Sequence, residues 1–262
     1  MKLVNPESAH FPLNEAARVR INALAARQHR ANGVIMQFVT FVGGQVEDGL
    51  KLLPAKTRAQ VEGATKHALR HSYDIAGRTR GGVGKLVGTD RAHRALATIS
   101  GALGGIGGLP TALAELPVAT TVIFRAVQGV AAAHGEDPLA DDTRIECLRV
   151  FGSGGPSDDD DGIDTAFVGA RLALSGAAVN GLIGRIAPRF AAVLSQKLAT
   201  QAVPVLGAVA GAGTNFAFVG YYTDMAHVHF GLRALARDHG ETAVLDAFHD
   251  ALAANKTPVK RA

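Results

Sequence analysis

Apolar positions along this chain recur at three- and four-residue spacing, and a period of two never persists beyond a few residues, so the pattern predicts helices and no sheet. Asn14 ahead of EAARVRINALAARQHR reads as an N-cap, with Leu13, Ala17, Ile21, Leu24 and Ala25 on one face; this helix is expected to end near Arg30. After Gly33 the chain is apolar through Val46, which predicts a buried second helix ending before Pro54. From Pro54 to Tyr73 polar residues cover most faces, leaving Val61, Ala64, Ala68 and Leu69 for burial, as in a surface helix. Pro110 is expected to restart a helix that passes Glu115, Pro117 and Arg125 and stops at Gly135. Asp141 or Asp142 then caps a helix through Val150, Phe167–Gly184 forms another, Asp224–Arg237 is an amphipathic helix stopped near Gly240, and Thr242–Ala254 is the last.

One stretch stands apart. Between Lys197 and Asp224 no side chain is charged, and a helix over Leu198–Thr223 would reach about 39 Å, enough either to cross a bilayer core or to run through a large helical domain. Gly207, Gly211 and Asn215 recur four apart, a face on which another helix can approach closely, and Pro204 suits the first turn. The same theme returns in Ala95–Ala114, with Gly101/Gly105 and Gly104/Gly108, and in Gly176, Asn180 and Gly184. Such glycines cost about 1 kcal/mol each against alanine inside a helix, which close packing must repay. The apolar residues of the central run favour insertion by a few kcal/mol and its polar residues offset most of that, so a compact bundle able to dock on a membrane is expected.

Composition narrows the picture. The 262 residues include 31 glycines, no tryptophan and one cysteine, Cys147, which leaves no intrachain disulfide and no multi-cysteine zinc site. The opening MKLVNPESAHFP has no apolar run, so no secretory signal is expected and the cytoplasm or the inner face of the cytoplasmic membrane is the expected location. Net charge is +4 but unevenly spread: basic residues crowd residues 51–94, including Lys66, Arg70, Arg78, Arg80, Lys85, Arg91 and Arg94, whereas acidic residues crowd 134–164. The basic block reads either as a solvated helical face or as a surface for anionic lipid.

Candidate chemistry is sparse. GRTRGGVGKLVG (Gly77–Gly88) fails as a phosphate loop because Thr79 replaces the first glycine and Leu86 stands where Ser or Thr should hold magnesium. The acidic loop after Ser157 lacks the closing glutamate of a calcium loop, having Val168 there. His67 and His71 are four apart without a third ligand, and Asp224 and His227 are spaced to hydrogen-bond on one face, so no metal and no cofactor is expected. With one aromatic, Tyr73, in the basic block, no nucleic acid is expected either. Glu115, between two apolar stretches, is expected to be buried with a partner from another helix, Lys197 or Arg171, either as a structural ion pair or as a general acid or base.

Two segments, GALGGIGGLPTALAELPVATTVIFRAVQGVAAAHG and VPVLGAVAGAGTNFAFVGYYTDMAHVHFGLRALARDHG, together resemble the EcsC family. The residues carrying the resemblance are Glu115, Pro117, Arg125, Lys197, Pro204, Gly207, Gly211, Asn215, His229, Phe230 and Arg233, with His134-Gly135 in place of the family's Tyr-Gly and Glu115 where many relatives have aspartate. The resemblance implies an accessory of a bacterial ABC exporter, beside which the namesake is encoded, with a peptidase as the enzymatic alternative. The sequence thus predicts an all-α, compact multi-helix bundle with an N-terminal helical region (1–90), a helical core (91–255) and a disordered basic tail (256–262). Its expected role is non-catalytic and membrane-peripheral, with an anionic membrane surface or a membrane protein as partner; the alternative is a hydrolase using Glu115 with Asp224 or His229.

Overall fold

The computed structural model describes residues 11–43, 55–78, 108–152, 176–200 and 204–256. Over these the chain forms seven α-helices and no strand: α1 (Glu15–Gly43), α2 (Ala55–Arg78), α3 (Gly108–Ala133), α4 (Asp141–Gly152), α5 (Gly176–Thr200), α6 (Pro204–His239) and α7 (Glu241–Lys256). The all-α bundle read from the hydrophobic periodicity is the observed class.

Helix ends follow local chemistry. Asn14 caps α1, its Oδ1 accepting the Ala17 amide at 2.8 Å, so one of the unpaired first-turn donors is satisfied. Gly135 (φ 80°) ends α3 and Gly240 (φ 86°) ends α6, in the left-handed conformation that side chains resist. Gly33 does no such thing. The expected break between Arg30 and Val34 is absent: α1 runs unbroken through Gly33, where a Cβ would meet nothing within 4 Å. A helix ends where the backbone turns, and a helical glycine alone only weakens it.

Two further expectations are corrected. The charge-free run and the Asp224–Arg237 segment form one helix, α6, because no residue between them interrupts the helical backbone, while Leu198–Thr200 belong to α5. The helix expected to end at Gly184 continues to Thr200 as α5; residues 167–175 lie outside the described residues. On α5, moreover, Asn180 and Gly184 are exposed, so that stripe is no packing groove among the described residues.

Helix α6 is the axle. Helix α1 lies antiparallel along it: the Phe11 amide donates to the Asp238 carbonyl at 3.0 Å, Leu24 meets Gly231, and Arg27 meets Asp224 at 3.7 Å. Helix α4 is also antiparallel to α6, with Glu146 at His229 and Phe151 stacked on Tyr222. Helix α2 runs alongside α3 in the same direction, joined by Ser72–Thr121 and by the Arg125 guanidinium donating to the Ile75 carbonyl. Helix α7 packs back on α1 and α6. Phe124, Phe151, Phe190 and Tyr222 from four helices meet ring to ring at 5.1–6.0 Å and form the centre of the core. The Val61, Ala68 and Leu69 face of α2 is buried as expected.

Candidate functional site: a buried ionic cluster on helix α6

Two charged residues of α4, Glu146 and Arg149, stand in an apolar run, Ile145-Glu146-Cys147-Leu148-Arg149-Val150-Phe151, every member of which is buried. A charge so placed must be paired, since an isolated buried ion costs several kcal/mol. Glu146 uses both oxygens. Oε1 lies 3.1 Å from Arg149 Nη1 and 3.1 Å from Arg233 Nη1, and Oε2 accepts from His229 Nε2 at 2.8 Å. An ionised carboxylate only accepts, so Nε2 is the protonated ring nitrogen of His229. Burial holds the Arg149 guanidinium below its usual value, with the adjacent Glu146 carboxylate opposing and Arg233 and Arg185 adding to the effect.

Arg233 joins this cluster to a second carboxylate. Its Nε donates to Glu136 Oε1 at 3.0 Å, and Arg237 Nη1 donates to the same oxygen at 2.6 Å. Glu136 sits in the reversal between α3 and α4, and Arg237 Nη2 also reaches the His134 carbonyl there. Gln128, held by Arg125 at 3.1 Å, donates to the Pro138 carbonyl at 2.6 Å. The Arg144 guanidinium lies 4.0 Å over the Tyr73 ring and donates to the Tyr73 carbonyl at 2.7 Å, tying α4 to the end of α2. The outcome is a reversal clamped from three helices.

A His–Glu pair has the composition of a general base with its orienting carboxylate, yet base catalysis needs substrate within hydrogen-bond reach. His229 is 1% exposed and Glu146 6%. The neighbouring Cys147 is fully buried, and burial together with Glu146 pushes its thiol well up, so it stays a protonated, unreactive thiol. The cluster's chemistry is that of a register lock.

Of the residues singled out from the sequence, His229 and Arg233 enter this cluster, and Phe230 is buried beside them with its ring 5.1 Å from that of His229. Glu115 is buried, as expected, in the first half of α3. It does not reach His229 or Asp224: Phe124 and Tyr222 flank the same Phe151 ring, Glu115 lies nine residues before one and His229 seven beyond the other, so about 24 Å of helical rise separates them, and about 16 Å separates Glu115 from Asp224. The hydrolase alternative therefore lacks its convergence. Lys197 lies in α5 and Pro204, Gly207, Gly211 and Asn215 in α6; their side chains, and Arg171, lie outside the described residues, so the Glu115 partner expected from them does too. Pro117 sits inside α3, its carbonyl accepting from Thr121 Oγ1 at 2.7 Å.

Asp224 meets Arg27 of α1 at 3.7 Å, and His227 Nδ1 lies 3.2 Å from Nε2 of His134, the residue after α3. His67 and His71 stack at 6.1 Å on the exposed face of α2, and among the described residues no three His, Cys, Asp or Glu side chains are grouped to hold a metal. Lys66 is half-exposed and pairs with Glu62, and Arg70 bridges Asp74 and Asn180. The Arg78 side chain, Arg80, Lys85, Arg91 and Arg94, with the phosphate-loop and calcium-loop look-alikes, lie outside the described residues. Sequence reasoning missed Glu136, Glu146 and Arg149. The signal for the last two was a pair of opposite charges three apart inside an apolar run.

Compared with known proteins, the chain matches the family model described as the EcsC protein family over residues 21–235. No curated protein and no solved structure matches it.

Proposed function

The chain belongs to the EcsC protein family, and from that premise we propose a non-catalytic accessory role at the surface of a membrane. The observation that carries this reading is the distribution of charge about the Arg27–Asp224 contact. Beyond it, α1 has no charged residue from Ala31 to Gly43 and α6 has none from Pro204 to Thr223, and the antiparallel register sets these two stretches side by side. Helix α2 carries Lys56, Lys66, His67 and His71 on its exposed face. A charge-free helix pair in the same bundle as a basic helix suits the interface of an anionic bilayer, where each basic side chain contributes about 1 kcal/mol.

Among the described residues one segment, Ala114–Ala133, is long and apolar enough to span a bilayer, and more than half of it is buried within the bundle as core. Its Leu116, Phe124 and Val127 face protein. This favours docking over spanning, with a transporter in the same membrane as the protein partner. The test is flotation of the purified chain with neutral and anionic vesicles at low and high salt. Flotation with anionic vesicles alone, lost at high salt, is expected; no flotation in any condition overturns the proposal.

A further inference from the structure

We propose that the His134–His227 contact is a proton-operated latch, holding the end of α3 against α6 while at least one ring is neutral and releasing it when both are protonated. The geometry comes first. Nε2 of His134 and Nδ1 of His227 are 3.2 Å apart, with the rings edge to face at 5.4 Å. A hydrogen bond between two imidazole nitrogens needs one N–H and one lone pair, so two imidazolium rings present hydrogen to hydrogen and repel.

The surroundings set the sign. His134 is half-buried at the α3 terminus, and burial is the largest influence lowering its proton affinity, followed by Arg20 and Arg27 of α1 and Arg237 of α6; Glu136 in the reversal opposes them. Asp224, one turn before His227 on α6, faces Arg27. The three guanidinium groups disfavour a second positive charge at this place and, for the same reason, disfavour a metal ion. A histidine whose proton is held less tightly when folded stabilises the fold fully above about pH 6.5, and that stability drains away as pH falls below it.

Among the described contacts of the reversal, this one joins two imidazole rings. Glu136 is held by Arg233 and Arg237, and Glu146 by Arg149 and Arg233. Acidification therefore frees His134 and the last turn of α3.

Hydrogen exchange of amides 131–136, corrected for intrinsic rates, tests this. Between pH 7.5 and pH 5 the opening of the wild-type segment is expected to rise about tenfold as the opened segment takes up a proton. His134→Gln should flatten that dependence to less than about twofold and His227→Gln should weaken it, since burial and the arginines still act on His134, whereas His239→Gln, whose ring meets the Phe11 carbonyl at the far end of α6, should leave it intact. Should either replacement fail to fold, the other suffices, and imidazole titration by NMR in the wild type must then show the two rings titrating in coupled steps. An acid-opening profile unchanged in His227→Gln and His134→Gln, or independent titration of the two rings, overturns the latch.

Discussion

The two halves of α6 hold their neighbours by different physics. From Pro204 to Thr223 no side chain is charged; from Asp224 to His239 the helix carries Asp224, His227, His229, Arg233, Arg237, Asp238 and His239. The charged half fixes register by directional pairs: Glu146 accepts from His229, Arg233 spans Glu136 and Glu146, and Phe11 bonds Asp238 through the backbone. The uncharged half has no ion pair to offer, and its described side chains Ala217, Phe218, Val219, Tyr221 and Tyr222 are buried in the core. A pairing network penalises any shift of one helix past another by stranding a buried charge, whereas a glycine-rich apolar surface tolerates sliding. The two halves meet at Tyr222, wholly buried in the aromatic core, where burial pushes its phenol well above the usual value.

Breaking the charged half should have the largest effect. Glu146→Gln leaves Arg149, 3% exposed, facing no carboxylate within its helix turn, and is expected to cost about 3–5 kcal/mol in urea unfolding. A loss below about 1 kcal/mol would mean that the cluster does not lock register. Next comes the closest glycine contact. A Cβ on Gly231 would stand 2.9 Å from Leu24 Cδ2, so Gly231→Val should push the Leu24 side chain out of its place between α1 and α6 at a cost of about 1–3 kcal/mol, read as a lower thermal midpoint. The smallest change has the opposite sign. Gly184 is exposed within α5 with nothing within 4 Å of a Cβ, and Gly184→Ala should stabilise by about 0.5–1 kcal/mol in the same assay. A loss there would show that this outward stripe is packed against something.

Legibility followed the range of the interaction. Asn14, Gly135 and Gly240 were readable because a cap or a left-handed residue acts within four positions of itself. Glu115 was readable as buried from its apolar flanks, and His229 and Arg233 from the family pattern. Which glycines pack closely was not. The four-apart spacing pointed to Gly184 among others, yet among the glycines whose surroundings are described Gly231 and Gly152 make the close approaches, to Leu24 and to Ile186. Spacing shows that a helix has a small face and says nothing of what lies opposite. Glu136 and Glu146 were hidden by composition, because they belong to an acidic stretch that reads as solvated until α6 is laid across it.

Neighbouring residues were enough for the helical class, several helix ends, the uncharged run and the family, since periodicity, capping and motif are all written locally. It took the packed bundle to bring Glu146 to His229, 83 positions away, to set His134 against His227, and to hold Glu115 far from both. Such meetings depend on the register and direction of helices packed side by side, which side-chain volume and charge pairing across the core select once the helices exist.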